Sequence, residues 1–363
     1  MPTPSPRPRS FRPAVAGRRV RGRRAASIAV APVVALALGL AGCAPAGSVT
    51  GGSGSGDGAA AAEASAYPLT LDNCGTEVTF DQAPERVVTV KSSTLELLVA
   101  LGLADRVVGS AFSDGPVPDE IIGAVPDDPA AAAADIEVIS DKVPSQEATL
   151  ALEPDLVFAG WESNLTADGA GDRALLDRLG VGTYVAPAAC KSADSMPDPL
   201  TFDEVFREFG EAGAIFDVPD AAADLVAAQQ AALDAIEPDD RGLTALWYSS
   251  GSDTPYVGAG IGAPQMIMDA AGLENVAADV HDTWTSMGWE AIVAANPDVI
   301  VLVDAPWNTA DSKIAQLTQN PATAVLPAVQ EGRFLVVDFP ATEAGVRNVS
   351  AVQSLVDQLG TLG

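Results

Sequence analysis

The sequence predicts an α/β protein of two Rossmann-like lobes, each built on a parallel sheet and joined by a long cross-lobe helix. Three observations predict it. A strand–helix–strand pattern recurs at short spacing on either side of residues 201–240, where two helical stretches follow each other with no strand between. A fourteen-residue stretch is echoed: residues 147–160 (EATLALEPDLVFAG) and 290–303 (EAIVAANPDVIVLV) agree at five positions. The chain has 363 residues and is 48% hydrophobic, enough for two domains with cores of their own.

The front of the chain reads as an export segment. Eight of its 20 basic residues are arginines before Ser27, and no acid precedes Cys43. The thirteen residues 28–40 are all apolar, Gly or Pro. That is a signal core, short of the ~20 residues a spanning helix needs. It ends in Leu40-Ala41-Gly42-Cys43, a lipobox, which predicts cleavage after residue 42 and a lipid on Cys43. Ordinary signal cleavage with an incidental Cys43 is the alternative. Residues 43–66 are rich in Gly, Ser and Ala without apolar periodicity, a flexible tether. Without residues 1–42, 12 basic residues face 49 acidic ones, a formal charge of −37. Such a balance argues against nucleic acid. Two cysteines remain beyond Cys43, and in an exported domain Cys74 and Cys190 are expected to pair.

The elements follow in order. Residues 67–80 alternate as a hairpin, with Asn73-Cys74-Gly75 as its turn. Residues 86–90 read as a buried strand and 94–101 as a helix with Leu95, Leu98 and Leu101 on one face. Strands follow at 106–109, 155–159 and 182–185, with a helix from about Ser145 and another at 172–179. These make a first lobe, residues 67–200. The connection, residues 201–240, contains two helical stretches broken at Asp217-Val218-Pro219, the second read as crossing between lobes. Residues 241–363 repeat the pattern: strands at 245–248, 299–303 and 333–337, helices at 264–271, 288–295 and 346–359. In each echoed stretch a short helix ends before Pro-Asp and feeds a buried strand. Polar and aromatic residues just past these strands, such as Trp161 and Trp307, mark the edge where α/β sheets bind ligands. One such edge per lobe implies a cleft between lobes.

Residues 83–109, 144–160 and 256–276, with the echo, make the chain similar to the helical-backbone class (class III) of ABC-importer substrate-binding proteins, which includes binders of iron-siderophores, haem and cobalamin. The resemblance implies a periplasmic-binding-protein-like fold, an ABC permease and its ATPase as partners, and a lipoprotein on the outer face of the cell membrane. It also implies that Glu147 and Glu290, one per lobe, dock onto permease arginines. Acids in first helical turns are favourable without any partner, so a purely local role is the alternative. Within the class, NCGTEVTF, KSST and AFSDGPVPD resemble actinobacterial proteins assigned to a deazaflavin coenzyme precursor, a phosphate-bearing relative of flavin. A ferric siderophore, haem or cobalamin is the alternative ligand.

The ligand site expected from the residues has two parts. Trp161, Trp247, Tyr248, Tyr256, Trp284 and Trp307 are read as aromatic cleft lining, suited to a flat ligand. For any one of them a place in the core is the alternative. Lys91, with Ser92, Ser93 and a helix N-terminus, is read as an anion cradle, assisted by Arg347. Surface solubility is the alternative for the two cations. The glycines of residues 258–262 fall short of a dinucleotide fingerprint and read as a loop beside the cleft. One histidine supplies no metal site and no catalytic constellation, and no Gly-x-Ser-x-Gly elbow occurs. No cofactor and no catalysis are expected, and the chain is read as a monomer. An exported enzyme using paired carboxylates is the remaining alternative.

Overall fold

The computed structural model describes residues 66–122, 136–192 and 194–362. The expected signal segment, Cys43 and all but the last residue of the tether lie outside the described residues. Among those described, no helix is long and apolar enough to cross a membrane.

The described chain opens with a hairpin, β1 (Leu69–Asn73) and β2 (Thr76–Phe80). Cys74 (φ 56) and Gly75 (φ 74) are both left-handed, the geometry of a two-residue type I′ turn that follows strand twist. The Asn73 amide accepts from the Val185 N–H and donates to the Val185 carbonyl, both at 2.8 Å. Cys74 is disulfide-bonded to Cys190, with Cα atoms 5.1 Å apart. The hairpin is thereby fastened to the edge of the first lobe.

That lobe comprises β3 (Val87–Val90), α1 (Ser92–Ala100), β4 (Val107–Ala111), α2 (Asp119–Ile122), β5 (Val138–Ser140), α3 (Gln146–Leu150), β6 (Leu156–Ala159), α4 (Arg173–Arg178) and β7 (Gly182–Val185). Its sheet is wholly parallel, in the order β5-β4-β3-β6-β7. Two helices then connect the lobes, α5 (Phe202–Ile215) and α6 (Pro219–Asp234). A capping box starts α5: Thr201 Oγ1 accepts from the Glu204 N–H and Glu204 Oε2 from the Thr201 N–H. Asp217 at φ 56 breaks the run, and Pro219 starts α6 without needing a donor.

The second lobe holds β8 (Leu243–Ser250), β9 (Tyr256–Gly258), α7 (Ala263–Ala271), β10 (Leu273–Asn275), β11 (Trp284–Ser286), α8 (Trp289–Ala295), β12 (Val299–Asp304), α9 (Ala310–Gln319), α10 (Pro327–Gln330), β13 (Phe334–Asp338) and α11 (Asn348–Thr361). Its sheet runs β11-β9-β8-β12-β13, with β10 also on β8. The centre of this sheet, β10, β8, β12 and β13, is parallel as expected, and two antiparallel strands extend it on one side. The chain turns back at Gly251 (φ 86), so β9 lies antiparallel to β8, and β11 antiparallel to β9.

The echoed stretches now have a common physical content. Glu153 (φ 48) and Asn296 (φ 49), at equivalent positions, are left-handed immediately before each Pro-Asp pair. The following Pro-Asp pairs then clamp the neighbouring central strand. Asp155 accepts from the backbone N–H groups of Glu85 and Arg86 at 2.8 and 3.0 Å, just before β3. Asp298 accepts from the Thr244 N–H and hydroxyl at 2.9 and 2.7 Å, at the start of β8.

Core packing follows period two. Along β12, Val299, Val301 and Val303 join one apolar cluster while Ile300 and Leu302 join another on the opposite face. The larger cluster runs without interruption from Leu156 and Phe158 through Phe209 and Phe216 to Trp247, Ile267 and Val352. Both lobes therefore share one core through the helices that connect them.

One buried acid lies on α5 itself, Glu208. Burial, then repulsion from Glu211, pushes Glu208 up to about 8, and its Oε2 makes no hydrogen bond. The folded chain thus keeps a proton that the unfolded chain releases near its ordinary value of about 4.3. Stability is fully present below that value and is lost as pH rises through about 8. Glu208→Gln is expected to match the wild type near pH 4 and to exceed it at pH 8 by roughly 2–4 kcal/mol. Thermal unfolding followed by circular dichroism checks this, and parallel pH profiles would refute it.

Candidate functional site: an aromatic cleft on a buried lysine

The strand ends of the two lobes face each other across a cleft of about 520 Å³. The first lobe contributes Phe112, Asp114, Trp161 and Glu162 from segments after β4 and β6, and Lys191 beyond β7. The second contributes Tyr256 of β9, Trp284 of β11, Trp307 after β12, and Phe339 and Glu343 after β13. Three aromatic pairs line the walls. Tyr256 and Trp284 are stacked, with centroids 5.8 Å apart and planes 12° from parallel. Phe112 meets Trp161 edge-on at 5.4 Å, and Trp307 meets Phe339 edge-on at 5.6 Å.

Trp307 is 59% exposed yet firmly placed. Asp304 accepts from the Ala310 N–H at 2.6 Å, and the buried Lys313 ammonium donates to the Val303 and Asn308 carbonyls at 2.6 and 2.5 Å. Burial lowers Lys313 to about 8. Large aromatic surface is thus presented to solvent by a loop tied at both ends, which saves ordering entropy on binding.

Beneath the cleft lies Lys91, fully buried at the end of β3. Its backbone is left-handed, φ 91, a strained conformation of the kind concentrated at functional sites. Gly160 makes room for it: a Cβ there would sit 2.7 Å from Lys91 Cβ. The ammonium stands 4.3 Å from the ring centroids of both Phe112 and Trp161, and 4.8 Å from that of Phe339. It donates to Asp114 Oδ2 in a short contact and lies 3.4 Å from Glu343 Oε1. Asp114 belongs to the first lobe and Glu343 to the second. Burial pushes Glu343 up to about 7, with nearby Asp114 adding to the rise and Lys91 opposing it.

Several expected site residues fall elsewhere. Lys91 is no open anion cradle, because two carboxylates already surround it. Ser92 is buried and its hydroxyl accepts from the Asp114 N–H at 2.9 Å, so it holds the loop rather than the cleft surface. Ser93 does line the cleft. Trp247 and Tyr248 are fully buried on opposite faces of β8. The strand runs two residues further than expected, so Ser249 and Ser250 reach the cleft instead. Arg347 lies behind the cleft, where it grips Glu96 of α1, Nε to Oε2 at 2.8 Å. Among the expected aromatics, Trp161, Tyr256, Trp284 and Trp307 come together at the cleft. Glu147 and Glu290 are exposed in the first turns of α3 and α8.

Sequence reasoning missed Phe112, Asp114, Lys191, Phe339 and Glu343. Asp114 lies within AFSDGPVPD, which was visible as a motif but carried no side-chain role. Lys191 donates across the cleft to Thr283 Oγ1 at 3.0 Å, a contact no local pattern announces. The glycine loop before α7 is packed rather than open: a Cβ on Gly260 would sit 2.0 Å from the Ala278 carbonyl.

A two-lobed α/β fold with an aromatic cleft at its strand ends defines a solute-binding protein. The chain belongs to the periplasmic binding protein family, which it matches over residues 87–341. Members of this family capture solutes for ABC importers and are not catalysts. The chain is 27% identical to an uncharacterized ABC transporter substrate-binding lipoprotein, YvrC, of Bacillus subtilis, over 81% of this chain and 86% of that one. It is 30% identical to a cobalamin-binding protein of Halobacterium salinarum, over 65% of this chain but only 58% of that relative. Among solved structures, an ABC-type Fe3+-hydroxamate transport protein of Saccharomonospora viridis superposes with a TM-score of 0.68 at 27% identity, covering 82% of this chain and 100% of that one.

Removing the buried ammonium leaves Asp114 and Glu343 uncompensated. Lys91→Met is expected to cost about 3–5 kcal/mol in urea unfolding. Adding Asp114→Asn and Glu343→Gln should recover most of the loss. A Lys91→Met chain as stable as the wild type would show that the carboxylates do not need this cation.

Proposed function

We propose that this chain is the lipid-anchored solute-binding component of an importer for a metal-chelate ligand of the corrinoid or ferric-hydroxamate class. The observation that carries this reading is the cleft wall. Three aromatic pairs drawn from both lobes suit a bulky, ring-bearing ligand that buries apolar surface. The names carried by relatives, cobalamin-binding and Fe3+-hydroxamate transport, support the same class. The phosphate of a deazaflavin precursor would need a free cation. Lys91 and Arg347 are both engaged by carboxylates, and the Lys191 ammonium donates to Thr283 Oγ1. The lipid on Cys43 would hold the protein at the outer face of the membrane, and the exposed Glu147 and Glu290 would meet the two permease halves.

Two experiments test the reading. A Cys43→Ser chain is titrated with cyanocobalamin, ferrioxamine B, haemin and the deazaflavin precursor, following tryptophan fluorescence. Saturable one-to-one quenching by cyanocobalamin or ferrioxamine B is expected. Saturation by haemin or the deazaflavin precursor alone would overturn the ligand class. Separately, Glu147→Ala with Glu290→Ala is expected to abolish uptake into cells without changing ligand affinity. Unimpaired uptake, or a matching loss of affinity, would remove these residues from docking.

A further inference from the structure

Cys190 stands in the wall of the cleft. Its neighbours Ala188, Ala189 and Lys191 all line that wall, while its own side chain is buried in the bond with Cys74. At the far end of that bond, the hairpin turn is already held without it. The Asn73 amide is paired with Val185 of β7. Arg173 of α4 donates to the Asn73 carbonyl at 2.9 Å and to its side-chain oxygen at 3.0 Å. The backbone of the wall is tied less. Ala189 and Cys190 donate only within their own turn, to the Ala186 and Pro187 carbonyls at 2.9 and 3.2 Å. A covalent bond between a fixed turn and a loosely tied wall acts chiefly on the wall.

What the wall carries shows why its position matters. Lys191 follows Cys190 directly and reaches both sides of the cleft. Its N–H donates at 2.7 Å to Glu162 Oε2, on the residue after Trp161. Its ammonium donates at 3.0 Å to Thr283 Oγ1, on the residue before Trp284. Trp161 belongs to one aromatic pair of the cleft and Trp284 to another. Cys190 is therefore next to a bridge that joins two aromatic panels across the lobes.

We propose that the Cys74–Cys190 disulfide is a positioning bond for the ligand cleft. It fixes the wall at Lys191, and Lys191 in turn sets the spacing of the Trp161 and Trp284 panels. The bond acts in the folded state, beyond the restriction of the unfolded chain that any disulfide brings. Its consequence for affinity rests on the reading of the cleft as a metal-chelate site, and its consequence for the wall does not.

Hydrogen exchange of the ligand-free Cys43→Ser chain reads the wall directly, with β12 as the reference. Adding Cys74→Ala and Cys190→Ala is expected to speed exchange at residues 186–192 and, across the cleft, at 281–286. The rise at 281–286 should exceed any change at 299–304 about tenfold or more, as local opening does and global unfolding does not. A rise at 281–286 no larger than that of β12 would overturn the proposal. Lys191→Met, which keeps the disulfide, should speed 281–286 and leave 69–80 at the wild-type rate. No change at 281–286 would remove the bridge, whether or not the doubly substituted chain folds. Calorimetry then reads the cleft. Whichever of ferrioxamine B and cyanocobalamin binds should bind the chain without the disulfide about tenfold or more weakly, because a loosened wall must be ordered on binding. Equal affinity would overturn the positioning role and leave the ligand class intact. If neither binds the wild type, the ligand class falls and the exchange pattern alone decides the proposal.

Discussion

A lysine ammonium with no access to water is the constraint around which this molecule is arranged. Burying such an ion unpaired costs several kcal/mol, so the chain must bring compensation to the end of β3. It does so from two directions. Asp114 comes from the loop after β4, and Glu343 from a segment more than 200 residues later in the other lobe. Three aromatic faces close the shell. The electrostatic demand of one side chain therefore fixes where the second lobe sits, and with it the width of the cleft. Behind the cleft Arg347 of the second lobe holds Glu96 of the first, with charges reversed. Each lobe lends the other one cation and one acid across the same contact.

Much of the scaffold was legible in the sequence because it is local. Strand and helix periods, the Pro-Asp echo and the break at Asp217 lie within a few residues of their effects. The echo also held more than its apolar pattern showed. Asp155 and Asp298 clamp the neighbouring central strand, a contact across the sheet that spacing does not encode. The cleft was legible only in part. Trp161 and Trp307 follow strand ends closely enough to be found by position. Trp247 and Tyr248 were misplaced because β8 continues to Ser250, and a strand's last residue is the hardest feature to read from pattern. Lys91 was singled out for being basic in an acidic chain. Its role was inverted because the groups that neutralise it come from elsewhere in the fold.

The second sheet shows how a site departs from a regular plan. A purely parallel sheet would leave the cleft edge to strand ends and loops alone. Turning the chain back at Gly251 adds β9 and β11 along that edge, and Tyr256 and Trp284, diagonal neighbours across the β9–β11 ladder, become a stacked aromatic panel. β-Ladder spacing, not side-chain packing, sets the distance between those rings. The panel is therefore as rigid as the sheet that carries it.

The uninterrupted apolar core has a mechanical consequence. Hinged binders made of two independent cores can swing apart by bending a few extended residues. Here any large separation would expose Phe209, Phe216 and their neighbours to water. The chain behaves as one stiff lever with a slot cut into it. Glu147 and Glu290, exposed in the first turns of α3 and α8, stand one in each lobe of that body.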